Sequence, residues 1–444
     1  MNRRDFLIRT TALGTIATLN QVAMLSARAA NSEPYKALVC VFLFGGNDGN
    51  NTVIPYSAGY GGYAGIRSTL ALPQESLVPL PLASGVAPFA LHPDLAPLAS
   101  IWNAGNLAVL FNVGTLSSPI TKDQYLAHSV PRPENLMSHA DQQQQWMSGI
   151  YQGRSRSGWG GRLSEALGVS AGVGLPSVIS IAGNPLFTTG QASQPLSLPA
   201  SGTIGLTATG ARRDALLNLF GLDRGNAVFD AAANSFASAV QYGDLVKPIL
   251  SGASPTIGPL FDSAAHPELN TGIARQFMQV ARLIEARVSL GGARQIFFVS
   301  LGGFDTHTNQ LTTQRQLFAQ LAPALKAFYD ATIALGVAQN VATFTLSDFG
   351  RTLKPASGGG SDHAWGSHHF VFGGTVKGGL YGTFPQLALG GPDDFSDEGR
   401  WVPTIAVDQY AATLASWFDL SSSALGSVLP NLASFPIKDL GFMF

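Results

Sequence analysis

Six short apolar runs, rich in β-branched and aromatic residues, most constrain how this 444-residue chain can fold. They lie at 37–44, 107–113, 177–182, 296–301, 341–346 and 370–373. Such runs are typical of strands that are buried on both faces. Amphipathic helices are predicted between them, at about 93–104, 212–220, 227–246, 272–288, 313–336 and 407–418. The alternation predicts an α/β fold with a mostly parallel central sheet sandwiched by helices.

Three of these runs are followed directly by carboxylates. LFGGNDGNN contains Asp48, LGGFDTHTNQ contains Asp305 and His307, and LSDFGRT contains Asp348. Polar side chains are disfavoured inside strands, but at carboxyl ends they face the crevice where α/β folds bind ligands. Residues two apart in extended backbone point the same way, so Asp305 and His307 can aim at one point. A plain turn is the alternative for Asp48, because Asn-Asp-Gly is good turn chemistry.

Histidines concentrate in the same part of the chain. Half of the eight histidines fall between positions 305 and 369, and GGGSDHAWGSHHF adds Asp362, His363, His368 and His369. Carboxylates at three strand ends together with a histidine cluster predict a metal centre with oxygen and imidazole ligands. The single cysteine, Cys40, excludes a cysteine metal cluster and an intramolecular disulfide.

Two further segments carry candidate catalytic residues. PENLMSHADQQQQWMSG places Ser138 as the N-cap of a helix, with His139 and Asp141 in its first turn. A helix amino terminus favours phosphate or a developing alkoxide. A plain capped helix is the alternative, and it accounts for Ser138 better than for His139. Arg351 follows the third strand, where it can pair bidentately with a substrate oxygen or form a surface salt bridge.

Composition and motif searches exclude several classes of function. A net charge of −1 with 12% charged residues gives no basic excess for nucleic acid and no acidic tail. The phosphate-binding P-loop pattern is absent, and no G-x-G-x-x-G follows the first strand. Residues 168–172 match G-x-S-x-G, but a helix precedes them and a strand follows, which reverses the order that a nucleophile elbow requires.

The amino terminus is predicted to be a targeting segment. Residues 1–29 contain the twin arginines Arg3 and Arg4, a modest apolar stretch and an Ala-x-Ala cleavage site, and they resemble a bacterial twin-arginine (Tat) signal. Recognition by the Tat translocase and a periplasmic or secreted location follow from that resemblance; an uncleaved membrane anchor is the alternative. No later window reaches 18 consecutive apolar residues, so no stable membrane span is expected. Residues 30–444 are predicted to form one domain.

The leader and seven internal stretches together resemble the DUF1501 family. The stretches are FLFGGNDGNNTVIPY, LHPDLAPLASIWNAGNLAVLFNVG, SHADQQ, SGWGGRL, GGFDTHTNQ, SDFGRT and SDHAWG. That family is distantly similar to the alkaline phosphatase superfamily of phosphatases, phosphomutases and sulfatases. The resemblance implies that fold, with residues after successive strands holding two metal ions.

Residue by residue, the resemblance makes Asp48 the first-strand carboxylate and Ser138 the nucleophile. It pairs Asp305 with His307 at one metal and Asp348 with His363 at the other. His368 or His369 is left to complete a site, and His369 is the one included in the predicted ligand set.

Departures from the superfamily pattern bear on the second metal and on the substrate. Asp305 and His307 are two residues apart where four are usual. Phe349 stands where the superfamily usually has the histidine of Ser-Asp-His-Gly, and a phenyl ring cannot ligate a metal. The pattern C/S-x-P-x-R is absent, which argues against a formylglycine sulfatase.

The sequence therefore predicts an exported metal-dependent hydrolase of phosphate or related anionic esters, either small or polymer-borne. Its divalent ion is expected to be zinc, magnesium, manganese or calcium. The predicted ligands are Asp48, Asp305, His307, Asp348, His363 and His369, and the predicted catalytic residues are Ser138, His139 and Arg351. The alternative, prompted by Phe349, is a non-catalytic binding or assembly module for a cell-surface polymer.

Overall fold

Nine of the twelve strands form one sheet in the computed structural model, which describes residues 34–168, 175–202, 204–222 and 226–444. The strands are β1 (Lys36–Phe44), β2 (Val53–Pro55), β3 (Val78–Leu80), β4 (Phe89–Leu91), β5 (Leu107–Gly114), β6 (Val178–Ser180), β7 (Leu196–Ser197), β8 (Arg294–Gly302), β9 (Val341–Ser347), β10 (Ser367–Phe372), β11 (Gly379–Tyr381) and β12 (Ile405–Ala406). The predicted signal at 1–29 and residues 169–172 lie outside the described residues.

The large sheet has the order β11-β5-β10-β9-β1-β8-β6-β7, and β12 also pairs with β5. All of these pairings are parallel except those of β10, which is antiparallel to both β5 and β9. Strands β2, β3 and β4 form a separate antiparallel sheet. The predicted mostly parallel sheet is confirmed, and all six apolar runs are strands. The sequence pattern missed only the short strands, which lack an extended apolar run.

Helices fill the intervals between the strands. They are α1 (Tyr60–Arg67), α2 (Ala99–Asn103), α3 (Lys122–Leu126), α4 (His139–Ser148), α5 (Trp159–Ala166), α6 (Gly210–Phe220), α7 (Ala227–Ser251), α8 (Gly272–Glu285), α9 (Arg287–Leu290), α10 (Gln310–Ala334), α11 (Val407–Trp417) and α12 (Leu425–Val428). The helix predicted at 93–104 is divided into a 3₁₀ helix over Pro93–Leu98 and α2. Pro97 lies inside that 3₁₀ segment, where its missing N–H disfavours regular α-helix. Among the described helices, none combines the length and hydropathy that crossing a bilayer requires.

Strand β1 shows how the sheet separates two apolar layers. Val39 and Val41 face a core completed by α8 and α10, whereas Leu38, Cys40 and Phe42 face a core completed by α4, α5 and α11. All five side chains are fully buried. Burying a side chain of this kind contributes about 1.5–3 kcal/mol. The two-sided burial explains why the run is continuously apolar rather than alternating.

The site forms at one edge because β8, β1 and β9 are adjacent and parallel. Their last residues are in register, with Phe44 opposite Gly302 and Leu43 opposite Ser347. The loops that follow the three strands therefore cross one another. Gly45 adopts a φ of 114°, and a Cβ there would lie 2.4 Å from the backbone nitrogen of Asp305. Glycine is required at this crossing for both reasons.

Strand β10 contains two buried histidines that should make stability depend on pH. Burial lowers the pKa of His368 and His369 to about 3, from an ordinary value of 6.5. Between these values the unfolded chain binds protons that the folded chain does not. The free energy of unfolding should therefore fall as the pH is lowered through this window, by up to about 1.4 kcal/mol per pH unit for each histidine. Burial raises the pKa of Asp408 to about 7, which opposes this slope.

The histidine contribution is isolated by comparing variants. His369→Phe should reduce the pH slope by the contribution of one histidine, as measured by urea unfolding between pH 4 and 6.5. His266→Phe, at an exposed position, is the control. Equal slopes in wild type and His369→Phe would contradict the assignment of His369 as a neutral core residue.

Candidate metal centre

Three histidine side chains surround the carboxylate of Asp305. His139 Nε2 lies 3.4 Å from Asp305 Oδ2, and Asp305 Oδ1 lies 3.1 Å from His307 Nε2 and 3.3 Å from His363 Nε2. Ligand atoms of His139, Asp305 and His363 all lie within 4.8 Å of one another, a spacing that could hold a metal ion. His307 adjoins this set from the exposed side, with its Nε2 2.9 Å from that of His363.

The other ring nitrogen of each imidazole faces an oxygen acceptor. His139 Nδ1 lies 2.7 Å from Asp348 Oδ2, His363 Nδ1 lies 2.8 Å from the carbonyl oxygen of Met137, and His307 Nδ1 lies 3.1 Å from Asp362 Oδ1. A neutral imidazole that donates its proton through Nδ1 keeps a lone pair on Nε2. Three such lone pairs and one carboxylate then face each other.

His139 Nε2 is buried and has no hydrogen-bond partner among the described residues, since its 3.4 Å approach to Asp305 lacks hydrogen-bond geometry. Neutral His307 and His363 would likewise bring two lone pairs together. Either a proton or a metal cation between them would remove this repulsion. The donor set, imidazole and carboxylate, suits a divalent transition metal.

Asp348 is the buried support of His139. It follows β9, is fully buried, and accepts hydrogen bonds from the Gly45 N–H at 3.1 Å and from Gln143 Nε2 at 2.8 Å. These contacts fix the carboxylate that orients the His139 ring. Carboxylates that bind the second nitrogen of a ligating histidine commonly orient metal ligands in this way.

Arg351 contacts the centre from the buried side of the site and forms an ion pair with Asp305. Its guanidinium is fully buried and donates to the carbonyl oxygens of Gly46, Gly45 and Ser361 at 2.9, 2.6 and 2.8 Å, and to Asp305 Oδ1 at 2.5 Å. Burial alone would raise the pKa of Asp305, but the hydrogen bond and charge of Arg351 outweigh it and lower that pKa to about 2. Asp305 is therefore anionic at neutral pH.

Phe349 packs against two of the histidines, which also contact each other with ring centroids 4.5 Å apart. Its ring centroid lies 4.8 Å from that of His139 and 4.5 Å from that of His363. A β-bridge between Arg351 and His363 brings the latter over the end of β9 and beside this ring. The phenyl ring therefore packs against the imidazoles, and it has no atom that can ligate a metal.

Asp48 lies outside the histidine cluster. Its carboxylate forms a buried ion pair with Arg67 and accepts hydrogen bonds from Gln310 Nε2 at 2.5 Å and from the Asn50 N–H at 3.1 Å. The last bond caps a 3₁₀ turn at Gly49–Asn51, as the turn alternative predicted. Arg67 thus supplies the positive charge that Asp48 faces.

His369 also lies apart from the cluster. It is inside β10, its Nδ1 lies 3.3 Å from Thr345 Oγ1, and its ring packs 4.8 Å from Trp146. Because β10 is antiparallel, its amino-terminal end is at the site edge. Residues that precede the strand, such as His363, therefore reach the centre, while His369 points into the core.

Ser138 occupies the N-cap position of α4, as predicted, but its hydroxyl does not cap the helix. It donates instead to Asp141 Oδ2 at 2.7 Å. The first N–H groups of α4 consequently have no side-chain acceptor from Ser138. They lie beside His139, which is the first residue of the helix.

The structure thus brings together Asp305, His307, His363 and Asp348 from the predicted ligand set, and it adds His139, which the sequence had assigned to catalysis. Two supports were not assigned from sequence. Asp362 was visible as a carboxylate next to His363, whereas the Met137 carbonyl carries no sequence signal because every residue has one.

The fold and the site define an α/β protein with a candidate histidine and aspartate metal centre at the carboxyl edge of its sheet. The chain belongs to the DUF1501 family, a protein family of unknown function, whose model matches residues 35–397. No curated protein matches the chain.

Several solved structures align with this chain at low sequence identity. PsFucS1 sulfatase from Pseudoalteromonas sp. is 10% identical, with a TM-score of 0.36 over 95% of this chain and 76% of that one. Ps i-CgsB, solved with k-i-k-neocarrahexaose, is 10% identical, with a TM-score of 0.35 over 90% and 77%. A Bacteroides thetaiotaomicron protein from a locus for glycosaminoglycan metabolism is 10% identical, with a TM-score of 0.34 over 88% and 74%. Similarity at this level says nothing about activity.

Proposed function

We propose that this protein is a metal-dependent hydrolase of phosphate or related anionic esters. The observation that carries the proposal is the convergence of three imidazole Nε2 atoms on the anionic carboxylate of Asp305. His139, His307, His363 and Asp305 would hold the ion. Three nitrogen donors suit zinc better than magnesium or calcium, which prefer oxygen ligands.

The hydrogen bonds around these four residues support the proposal, because each of the four side chains is fixed by a partner outside the centre. Asp348 orients His139, the Met137 carbonyl orients His363, and Asp362 orients His307. Arg351 holds Asp305 from the buried side. Its role is therefore to position Asp305, and it has few donors left for a substrate oxygen.

Bound at this centre, a divalent ion would polarise an ester oxygen and lower the pKa of a water molecule. The amino terminus of α4 favours negative charge on the substrate beside His139. Ser138 is the candidate nucleophile: its oxygen would bond to phosphorus, the bond from phosphorus to the leaving oxygen would break, and the hydroxyl proton would pass to Asp141. The hydrogen bond between Ser138 and Asp141 already follows that path.

One ion is proposed rather than two. Phe349 packs against His139 and His363 but offers no ligand for a second ion, and Arg67 is the counter-cation of Asp48. Asp48 and His369 would each need different partners to ligate a metal. Their assignment as ligands stays a prediction, and Asp48→Asn tests it for Asp48.

A second candidate is a non-catalytic binding or assembly module for a cell-surface polymer. Phe349 favours it, because a phenyl ring at this position removes one ligand that a two-metal esterase would use. Metal content and turnover together separate the two candidates.

Metal analysis and an ester screen test the proposal together. Purified protein should contain about one zinc per chain, and it should hydrolyse at least one of a panel of phosphomonoesters, phosphodiesters and sulfate esters. Chelation should abolish that activity, and zinc should restore it. Ser138→Ala should lower kcat by about a hundredfold or more if Ser138 is the nucleophile, and Ser289→Ala, on the exposed side of α9, should not. Absence of turnover would favour the binding module, and absence of bound metal would overturn the metal-dependent hydrolase.

Export through the Tat translocase is proposed from residues 1–29, with the periplasm or the cell exterior as the destination. The Tat receptor reads guanidinium geometry, which lysine lacks. Replacing Arg3 and Arg4 together by lysine should therefore leave the precursor in the cytoplasm. Cell fractionation and immunoblotting measure this, with the Lys36→Arg variant as the control. Unchanged export of the double variant would rule out the Tat assignment.

A further inference from the structure

A cavity of about 580 Å³ lies beside the candidate metal centre, lined by residues of the segment 125–137 and by Gln152. Met137 belongs to both features. It lines the cavity, and its carbonyl oxygen accepts the hydrogen bond from His363 Nδ1. The cavity and the centre therefore share a wall.

The segment that forms this wall has an unusual backbone. His128, Asn135 and Met137 adopt positive φ values of 55°, 47° and 69°, although none is glycine. Asparagine and histidine tolerate this region, whereas methionine seldom occupies it. Such conformations persist only where surrounding contacts hold them, and they cluster at ligand-binding sites.

Arg132 gives the cavity a positive end. One of its nitrogens lies 2.9 Å from His128 Nδ1, and the guanidinium lies 5.1 Å from the centre of the Tyr125 ring. Among the described residues, no carboxylate lies within ion-pair distance of Arg132. Glu134 also lines the cavity, but its carboxylate accepts the Gly153 N–H at 2.9 Å. The half-buried charge of Arg132 thus has no anionic partner from the described part of the chain.

We propose that this cavity binds a second anionic group of the substrate, next to the reacting ester, and that Arg132 selects this group. The inference rests on the proposed function, since it assigns the substrate class of the same site. A guanidinium matches the paired oxygens of carboxylate, sulfate or phosphate. A cavity of this size accommodates a small-molecule group. The substrate class is therefore an ester that carries a second anionic group.

Binding of small charged sugars tests the proposal without turnover. Glucuronate, glucose 6-phosphate and glucose 6-sulfate are titrated against the full chain by ligand-observed NMR, with glucose as the neutral match. At least one of the anions should bind about tenfold or more tightly than glucose. The preference should persist in Asp305→Asn titrated in the presence of a chelator, where no bound metal can supply it. The identity of the preferred sugar distinguishes the three anions.

Arg132→Gln should abolish this preference without changing glucose binding, and Arg132→Lys should retain part of it. Arg275→Gln, at an exposed position on α8, is the matched control. His128→Asn is a second variant should Arg132→Gln fail to fold, and it should weaken anion binding while leaving glucose binding unchanged. Anion preference that survives in Arg132→Gln, or that disappears in Asp305→Asn, would overturn the proposal. Preserved anion preference in a protein that hydrolyses no ester would instead overturn the proposed function alone.

Discussion

Asp305→Asn is expected to lower zinc affinity about a hundredfold or more while the protein stays folded. Replacing a residue that merely supports a ligand costs about ten- to a hundredfold in affinity, so removing the charge of a ligand should reach at least the upper end. Some stability should be lost because the buried Arg351 loses its counter-ion, but folding should survive because the Asp305 side chain is 47% exposed and the asparagine Oδ1 can still accept from Arg351. Competition titration against a chelator measures affinity, and thermal unfolding monitors the fold.

Asp262→Asn is the matched control, because Asp262 is exposed and lies outside the site. Asp348→Asn should have an intermediate effect on affinity, since Asp348 contacts the metal centre only through His139. Unchanged zinc affinity in Asp305→Asn would exclude the proposed centre.

Asp48→Asn is expected to lower the free energy of unfolding by about 3–5 kcal/mol, because it leaves a buried arginine without its counter-ion. Arg67 is fully buried, and its remaining partners are the carbonyl oxygens of Thr352 and Leu353, at 2.7 and 2.8 Å, and Asn51 Oδ1 at 3.0 Å. Neutral oxygens satisfy its hydrogen bonds without balancing its charge. Urea unfolding at pH 7 measures the loss.

The double variant Asp48→Asn with Arg67→Met provides the control. Removing both charges should recover part of the stability that Asp48→Asn loses, because no unpaired ion is then buried. Zinc affinity should change little in Asp48→Asn if the carboxylate serves Arg67 alone. A fall of about tenfold or more in a folded variant would instead support Asp48 as a metal ligand.

The framework of the site was predictable from sequence because it depends on local patterns. Continuous apolar runs indicate strands buried on both faces, and alternation with helices indicates a parallel sheet. Neighbouring parallel strands end at one edge of a sheet, so the sequence alone predicts Asp305, His307 and Asp348 at that edge. The segment 133–149 likewise showed where a helix begins, with His139 in its first turn.

What the sequence determined by itself is therefore the long strands, the edge that carries the polar residues, and Asp305 and His307 among the four proposed ligands. The tertiary structure alone decided that β10 runs antiparallel, which places His363 in the centre and His369 in the core. It also decided that Arg67 forms an ion pair with Asp48. The physical reason is that hydrophobic periodicity reports local burial, whereas strand direction and charge pairing depend on contacts between distant segments. No spacing in the sequence records those contacts.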